Sequence, residues 1–357
     1  MINDTTLDYR PLTDPVDRAE VTAFRKRVKA AGESWATSST GSTVLLIFVL
    51  LIAGVVGLVG LFNFILVSGG SPATVLVVFL SIVAVAVAGT VITRWYSTGP
   101  GGQWGRWHRL AQFASVNGLR SIPTSNEPGY PGSIFQVGSG RTCTDRIQTV
   151  SGRETDVGSY AYTTGSGKSK QTHSWGYLAL RLDRNLPHMV LDAKSNNGLF
   201  GGTNLPTKFD GDQVLSLEGD FDRCFTLYCP QHYERDALYV FTPDLMALLI
   251  DETSAFDVEI IDDWMFVYSA DPFDALDPSM WKRMFRIVSV VGAKTVDQTE
   301  RYRDERMLPA AASVLAGAAA TGNRVAPAGR RLRTKINWIA VGSVAVFAVA
   351  WFWITLR

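Results

Sequence analysis

The chain has 357 residues, of which 46% are apolar, and its 34 basic and 33 acidic residues leave a net charge close to zero. This balance excludes an extended basic surface for nucleic acid. Its three cysteines, Cys143, Cys224 and Cys229, are too few for a disulfide framework and indicate a reducing compartment.

Three apolar runs without a single Lys, Arg, Asp or Glu predict membrane-spanning helices. Each has about 19 residues or more, enough at 1.5 Å per residue to cross about 30 Å of hydrocarbon. A turn-forming segment joins the first two runs into a transmembrane helical hairpin at residues 44–93, and the third run predicts a span at 336–357. A buried core helix is the alternative. The runs are Val44–Val67, Thr74–Ile92 and Trp338–Leu356.

Basic residues flank the predicted spans. The positive-inside rule keeps such residues in the cytoplasm, which places the N-terminus and the region between the second and third spans at the inner face of the plasma membrane, and the C-terminus outside. The same residues suit contact with anionic lipids, at about 1 kcal/mol each near the surface. The membrane-flanking basic residues are Arg25, Lys26, Arg27, Lys29, Arg94, Arg330, Arg331, Arg333 and Lys335.

Residues 94–308 predict a cytoplasmic α+β domain. From Ile134 to Val240 apolar and polar residues mostly alternate between turn-forming Gly, Asn and Pro, as at Leu178 and Leu180. This is the pattern of half-buried strands. Successive strands of this kind predict an antiparallel sheet or a partly closed barrel with packing helices.

Helices are predicted at three places in the same domain. Trp104–Asn117 has apolar residues at helical spacing, and Thr242–Asp244 and Asp277–Pro278 each combine a capping residue with proline at the first helical position. Between the last two, Phe256–Ser269 returns to a strand pattern, with a hairpin turn predicted at Asp262–Asp263.

Two segments border this domain. Within the cytoplasmic N-terminal segment 1–43, Pro15–Ala31 places Val21 and Phe24 on one face and predicts an amphipathic helix, which either lies on a membrane or is simply solvated. Residues 309–335 are rich in Ala, Gly and Pro, end in basic residues, and predict a linker.

Two short motifs suggest a site. Gly165–Ser169 ends like a phosphate-binding loop, but Tyr162 stands where the opening glycine is required, so we predict a hairpin turn. Cys224, Cys229 and His232 are typical zinc ligands, but their spacing does not match a zinc knuckle. We expect buried structural cysteines there.

Two further groups contain ionisable side chains. One group that could supply an acid and a base comprises His173, His188, Asp145 and Asp192, but nothing in its spacing selects a geometry. A second group is acidic and lacks the regular ligand positions and the glycine of a calcium loop, so we predict a solvated turn. This acidic group is Asp251, Glu252, Asp257, Asp262 and Asp263.

The stretch from Leu215 to Ser269 carries a recurring set of apolar and capping residues, namely Leu217–Glu218, Phe221, Phe225, Tyr228, Tyr239–Pro243, Met246 and Leu249. With this set the chain resembles an uncharacterised bacterial membrane-protein family, a domain of unknown function with paired N-terminal transmembrane helices and a cytoplasmic α+β domain. The resemblance implies that fold and assigns no catalytic residues.

Taken together, these features predict an integral membrane protein that presents a cytoplasmic binding or assembly domain at the inner membrane surface. Its expected partners are the lipid bilayer and, beyond it, other membrane proteins or anionic lipids. A membrane-associated, hydrolase-like enzyme and a lipid head-group sensor are the alternatives. The sequence indicates no cofactor and no metal, and the catalytic residues, if any, are unknown.

Overall fold

A computed structural model of the chain describes residues 6–37, 99–126, 128–197, 202–217, 219–307 and 323–334, together with scattered helical residues between 52 and 91. No helix among these residues is long and apolar enough to cross a membrane, which contradicts the prediction of transmembrane helices and of a membrane protein for this part of the chain. The other residues of the three predicted spans lie outside the described residues.

In the described part of the chain, seven strands form one antiparallel sheet that is not closed into a barrel. Its order is β1-β2-β3-β4-β6-β5, and β7 also pairs with β4. Because Leu178 of β4 pairs with both Val157 of β3 and Val267 of β7, these two strands flank β4 on opposite sides. The strands are β1 Leu119–Asn126, β2 Ser139–Thr149, β3 Thr155–Thr164, β4 Gln171–Ala193, β5 Val214–Leu215, β6 Phe225–Tyr228 and β7 Asp257–Ser269.

The helices confirm the predicted α+β class. A π-helical turn at Val288–Gly292 joins the last two of them. Apart from the scattered helical residues between 52 and 91, the α-helices that the structure describes are α1 Arg10–Thr13, α2 Arg18–Ala30, α3 Gln103–Val116, α4 Phe221–Cys224, α5 Glu234–Val240, α6 Pro243–Thr253, α7 Pro278–Ile287 and α8 Ala293–Thr299.

The helices cover one face of the sheet. Leu178 and Leu180 of β4 are fully buried in the same apolar cluster as Phe113 of α3, Leu245 of α6 and Trp281 of α7. The alternation predicted for β4 is therefore confirmed, since its leucines point to one face and meet the apolar stripes of the helices.

Aromatic side chains fill the other face of the sheet. Phe135 lies 5.3 Å from Tyr177 in an edge-to-face arrangement, and Tyr130 lies 4.8 Å from Trp264. Such pairs contribute about 0.5–1.5 kcal/mol each beyond the area they bury. Both faces of the sheet are thus buried.

Helix starts were predicted more accurately than the course of β7. Both α6 and α7 begin at the predicted prolines, although only Asp277 forms the expected side-chain cap, to the backbone N–H of Ser279 at 2.8 Å. The hairpin predicted at Asp262–Asp263 is wrong, because β7 continues through these residues alongside the equally continuous β4. Asp262 instead has a φ of +53° within an irregularly paired part of the strand.

The N-terminal amphipathic helix packs on the domain. α2 covers most of the predicted range, and its fully buried Val21 lies in a cluster with Trp104 and Trp107 of α3, against which Phe24 also packs. Its apolar face therefore has a protein partner.

Residues 323–334, which we call the C-terminal strap, pack against the domain although the sequence predicted a linker there. The backbone N–H of Leu332 donates to His188 Nδ1 at 3.0 Å, and the backbone carbonyl of Arg333 accepts from Gln213 Nε2 at 2.8 Å. Residues 309–322 of the predicted linker lie outside the described residues.

We predict that Trp281→Ala lowers the free energy of unfolding by about 3–5 kcal/mol. Trp281 is 0% exposed, lies 5.9 Å from Phe285, and donates through Nε1 to the carbonyl of Ala275 at 2.8 Å. Denaturant titration measures the change. Leu238→Ala is the control, because Leu238 is 56% exposed and its truncation should cost less than about 0.5 kcal/mol. Equal losses in the two variants would contradict the placement of α7 in the core.

Candidate functional site

A groove of about 1360 Å³ lies between the N-terminal end of α3, strand β1 and the loop after β7. We call it the β1 groove. All seven residues of Arg120–Asn126 line it, and its walls include Trp35, Trp107 and Phe273. Since successive side chains of a strand point to opposite faces, a groove that all seven residues line follows the edge of β1 as well as one face.

Hydroxyl groups form the floor of the β1 groove. Thr124 of β1 pairs with Thr144 of β2, which in turn pairs with Ser159 of β3. Paired residues point to the same face with their Cβ atoms about 4.5–5.5 Å apart, so the three hydroxyls form a row across three strands. The backbone N–H of Phe273 donates to Ser159 Oγ at 3.1 Å and closes one end of this row.

A β-bulge in β2 brings two consecutive side chains into the groove. The register of β2 against β3 shifts between Thr144 and Ile147, and Asp145 has a φ of +53°. An extra residue in one strand interrupts the alternation of side chains. Thr144 and Asp145 therefore both line the groove, while Arg146 projects into the aromatic face.

Asp145 forms an ion pair with Arg106 of α3 in the wall of the groove. The side chain of Asp145 is 8% exposed and that of Arg106 is 40% exposed. Burial raises the pKa of Asp145 to about 6, the Arg106 guanidinium opposes this rise, and the charge of Asp274 adds to it. The carboxyl group therefore changes its charge slightly below neutral pH.

Aromatic rings border the polar floor on two sides. Trp35 meets Trp107 edge to face at 5.3 Å. Across the groove Phe273 covers Gly176, where an added Cβ would lie 2.5 Å from the ring, so this close approach requires glycine. A bound molecule would meet apolar surfaces at the sides and hydrogen-bonding groups below.

The bulge also sets a buried charge pair on the aromatic face. Arg146 Nη2 donates to Asp156 Oδ2 at 2.6 Å, and the same oxygen accepts from the hydroxyls of Tyr130 at 2.8 Å and Tyr177 at 3.0 Å. Burial, and then the charge of Asp156, raises the pKa of both tyrosines. With these donors in place, the pair is a fixed structural element of the core.

His188 and Glu259 form a second buried pair. Since the N–H of Leu332 donates to His188 Nδ1, the hydrogen-bond network assigns the ring proton to Nε2, which donates to Glu259 Oε1 at 2.7 Å. Glu259 also accepts from the N–H of Ser133 and the hydroxyl of Tyr268. Burial acts to raise the pKa of Glu259, but these hydrogen bonds outweigh it and the pKa is lowered. Both ring nitrogens of His188 thus form hydrogen bonds that stabilise the fold.

The acid and base candidates from the sequence are not brought together. Asp145 lies in the β1 groove, whereas Asp192 accepts from the hydroxyl of Thr203 at 3.0 Å. His173 stacks on Tyr162 at 5.0 Å in the β3–β4 hairpin. The expected turn at 165–169 is confirmed, since it connects those two strands.

Of the two cysteines expected to be buried, Cys229 is buried and Cys224 is only half-buried, while the third cysteine, Cys143, is buried. Burial raises the pKa of the Cys229 thiol to about 12. His232 has a φ of +69°. In the part of the chain that the structure describes, no group of three or more His, Cys, Asp or Glu residues could hold a metal ion. The acidic group from the sequence is dispersed: Asp257 is buried, while Asp262 pairs with Arg331 of the strap.

The membrane-flanking basic residues that are described lie on two elements. Two of those on the strap contact the domain, since Arg331 pairs with Asp262 and Arg333 with Asp212. Arg25 of α2 lies over the ring of Trp104 at 5.6 Å. Their role at a membrane stays a prediction. Arg25, Lys26, Arg27 and Lys29 are on α2, Arg330, Arg331 and Arg333 are on the strap, and Arg94 and Lys335 lie outside the described residues.

Sequence reasoning missed most of the β1 groove. Trp35, Arg106 and Phe273 are far apart along the chain and carry no shared motif. The one local signal is the adjacent pair Asp145 and Arg146, which interrupts the alternation of a strand and is typical of a bulge.

Comparisons with known proteins identify no family. No family model matches the chain, and no curated protein matches it. The resemblance to an uncharacterised membrane-protein family is therefore wrong. Its carrying residues, such as Phe221, Phe225 and Leu249, are core residues, and any packed α+β domain requires such a pattern.

Among solved structures, the chain is similar to the crystal structure of the mycobacterial trehalose monomycolate transport factor A, TtfA. The alignment covers 53% of this chain and 92% of that chain, with 10% sequence identity and a TM-score of 0.36. A score this low supports no conclusion about fold or function.

We predict that Arg106→Gln raises the pKa of Asp145 above its value of about 6, by about one unit, because an opposite charge at this distance lowers a carboxyl pKa by about 1–3 units. Carbon-13 NMR of the Asp145 carboxyl group between pH 4 and pH 9 measures the midpoint. Arg120→Gln is the control, since Arg120 also lines the groove and is not the partner of Asp145. An unchanged midpoint in Arg106→Gln would refute the ion pair.

The same group gives a pH dependence of stability. The folded pKa of Asp145 is about 6, above the unfolded value of about 3.9, so the folded state binds the proton more tightly and stability falls as pH rises from about 4 to about 6. Asp145→Asn should remove this contribution to the fall in the free energy of unfolding between about pH 4 and about pH 6.

Proposed function

We propose that the chain is a binding module whose β1 groove holds an extended polypeptide segment of a partner protein. The observation that carries the proposal is the course of the groove, which follows seven consecutive residues, Arg120–Asn126, of a strand at the end of the sheet. At about 3.3 Å per residue this length is about 23 Å, which accommodates about seven residues of an extended segment.

The edge of β1 supports main-chain recognition. In the described part of the chain β1 pairs on one side only, with β2, and the free edge of a strand offers N–H and C=O groups that an added strand can pair with. Pro123 lies within this strand and has no N–H, which restricts the pairing to a few positions. Such an edge favours one register of an added strand over unselective pairing with any strand.

The walls support side-chain recognition. Trp35, Trp107 and Phe273 offer aromatic surface, and aromatic residues supply much of the binding energy in protein interfaces. Charges of both signs, on Arg120 and Asp274 among others, border the groove and can orient a segment that carries the complementary charges.

The position of the module in the cell is a separate matter. The location at the inner face of the plasma membrane and the contacts with lipids stay predictions from the basic flanks in the sequence. The peptide groove depends on neither.

Selection from a displayed peptide library tests the proposal. We expect the full-length protein to enrich linear peptides of about seven residues whose affinity falls at least about tenfold in Thr144→Trp, because the indole fills the floor of the groove. Loss of a buried hot-spot contact has this size or more. Val150→Trp is the control, since Val150 is 69% exposed and lies in the β2–β3 turn. No enrichment, or peptides that bind Thr144→Trp as tightly as the unmodified protein, would refute the proposal.

A further inference from the structure

Two buried carboxylates lie close together where β4 and β7 meet, away from the β1 groove. Asp192 is 3% exposed and Asp257 is 0% exposed. The pairing of Leu191 with Val258 places them on adjacent strands, and the N–H of Ala193 donates to Asp257 Oδ1 at 2.8 Å.

The charge of Asp257 is poorly compensated. Its Oδ2 atom is buried without a hydrogen-bond partner among the described residues. Burial raises the pKa of Asp257 to about 7, and the charge of Asp192 adds to the rise. The other deeply buried acids differ, because Asp156 is paired with Arg146 and Glu259 accepts three hydrogen bonds.

Two asparagine side chains beside these carboxylates are also incompletely bonded. Asn196 and Asn197 lie close enough to Asp257 and Asp192, respectively, to lower their pKa values. The amide oxygens of Asn196 and Asn197 and the amide nitrogen of Asn196 are buried without a hydrogen-bond partner in the described part of the chain. A buried polar atom left in this state costs about 1–3 kcal/mol, so the three unpartnered oxygens of Asp257, Asn196 and Asn197 indicate a ligand.

The chemistry of the unsatisfied atoms defines the ligand. The unsatisfied oxygens are carboxylate and amide oxygens, which hard divalent cations prefer as ligands, and two carboxylates match a double positive charge. Calcium takes six to eight such oxygens in flexible geometry, whereas magnesium keeps most of its water. We propose that Asp192 and Asp257, together with the amide oxygens of Asn196 and Asn197, form a calcium-binding site.

Sequence spacing could not reveal this site. The ligands come from the end of β4, the residues after it and the start of β7, and none of them follows the ligand spacing of a calcium loop. The acidic group considered from the sequence shares only Asp257 with it. The site is therefore defined by strand pairing.

Calcium titration of the purified full-length protein, after treatment with a chelator, tests the proposal. At a calcium concentration about 100-fold above Kd, we expect the unfolding temperature to rise by about 5 °C or more. Isothermal titration calorimetry should give one calcium per chain. Asp251→Asn, which removes an exposed acidic residue, should keep the full response.

Asp257→Asn should abolish calcium binding without lowering the unfolding temperature in chelator, because it removes a buried charge that lacks a partner there. Asn196→Ala is a second variant, with a smaller structural change, and should weaken binding at least about tenfold. No calcium response in the unmodified protein, or a response that both variants retain, would overturn the proposal.

Discussion

The β-bulge at Asp145 and Arg146 is the constraint on which both faces of the sheet depend. It turns Asp145 into the β1 groove, where Arg106 meets it, and leaves Arg146 on the aromatic face, where it pairs with Asp156. Gly158 lies beside the bulge on β3, and an added Cβ there would lie 3.0 Å from the Arg146 side chain. One local departure from regular pairing therefore sets a buried charge pair and one wall of the groove together.

The buried acidic groups of this fold differ in how fully hydrogen-bond donors and opposite charges compensate them. Asp156 and Glu259 are deeply buried and surrounded by donors, which makes them structural. Asp145 keeps one partner and a path to solvent, and Asp257 has an oxygen without a partner among the described residues. Incomplete compensation is costly in a folded core, and it marks the two places where we propose that the domain binds something else.

Local sequence signals predicted the elements, and long-range pairing determined the sites. The starts of α6 at Pro243 and α7 at Pro278 follow from proline and capping chemistry within a few residues. The hairpin turn predicted at Asp262–Asp263 was wrong, because β7 pairs with the long strand β4 on both sides of these residues and continues through them. The meeting of Arg106 with Asp145 depends on residues far apart in sequence, for which periodicity carries no information.

The measurement that tests the central role of the bulge most directly is a pair of readouts on Gly158→Val. The added side chain must displace the Arg146 backbone or side chain. We predict that the free energy of unfolding falls and that the midpoint of the Asp145 carboxyl titration moves away from about 6 in the same variant. A variant that loses stability while the Asp145 midpoint stays at about 6 would show that the core and the groove are set independently, and would contradict the account.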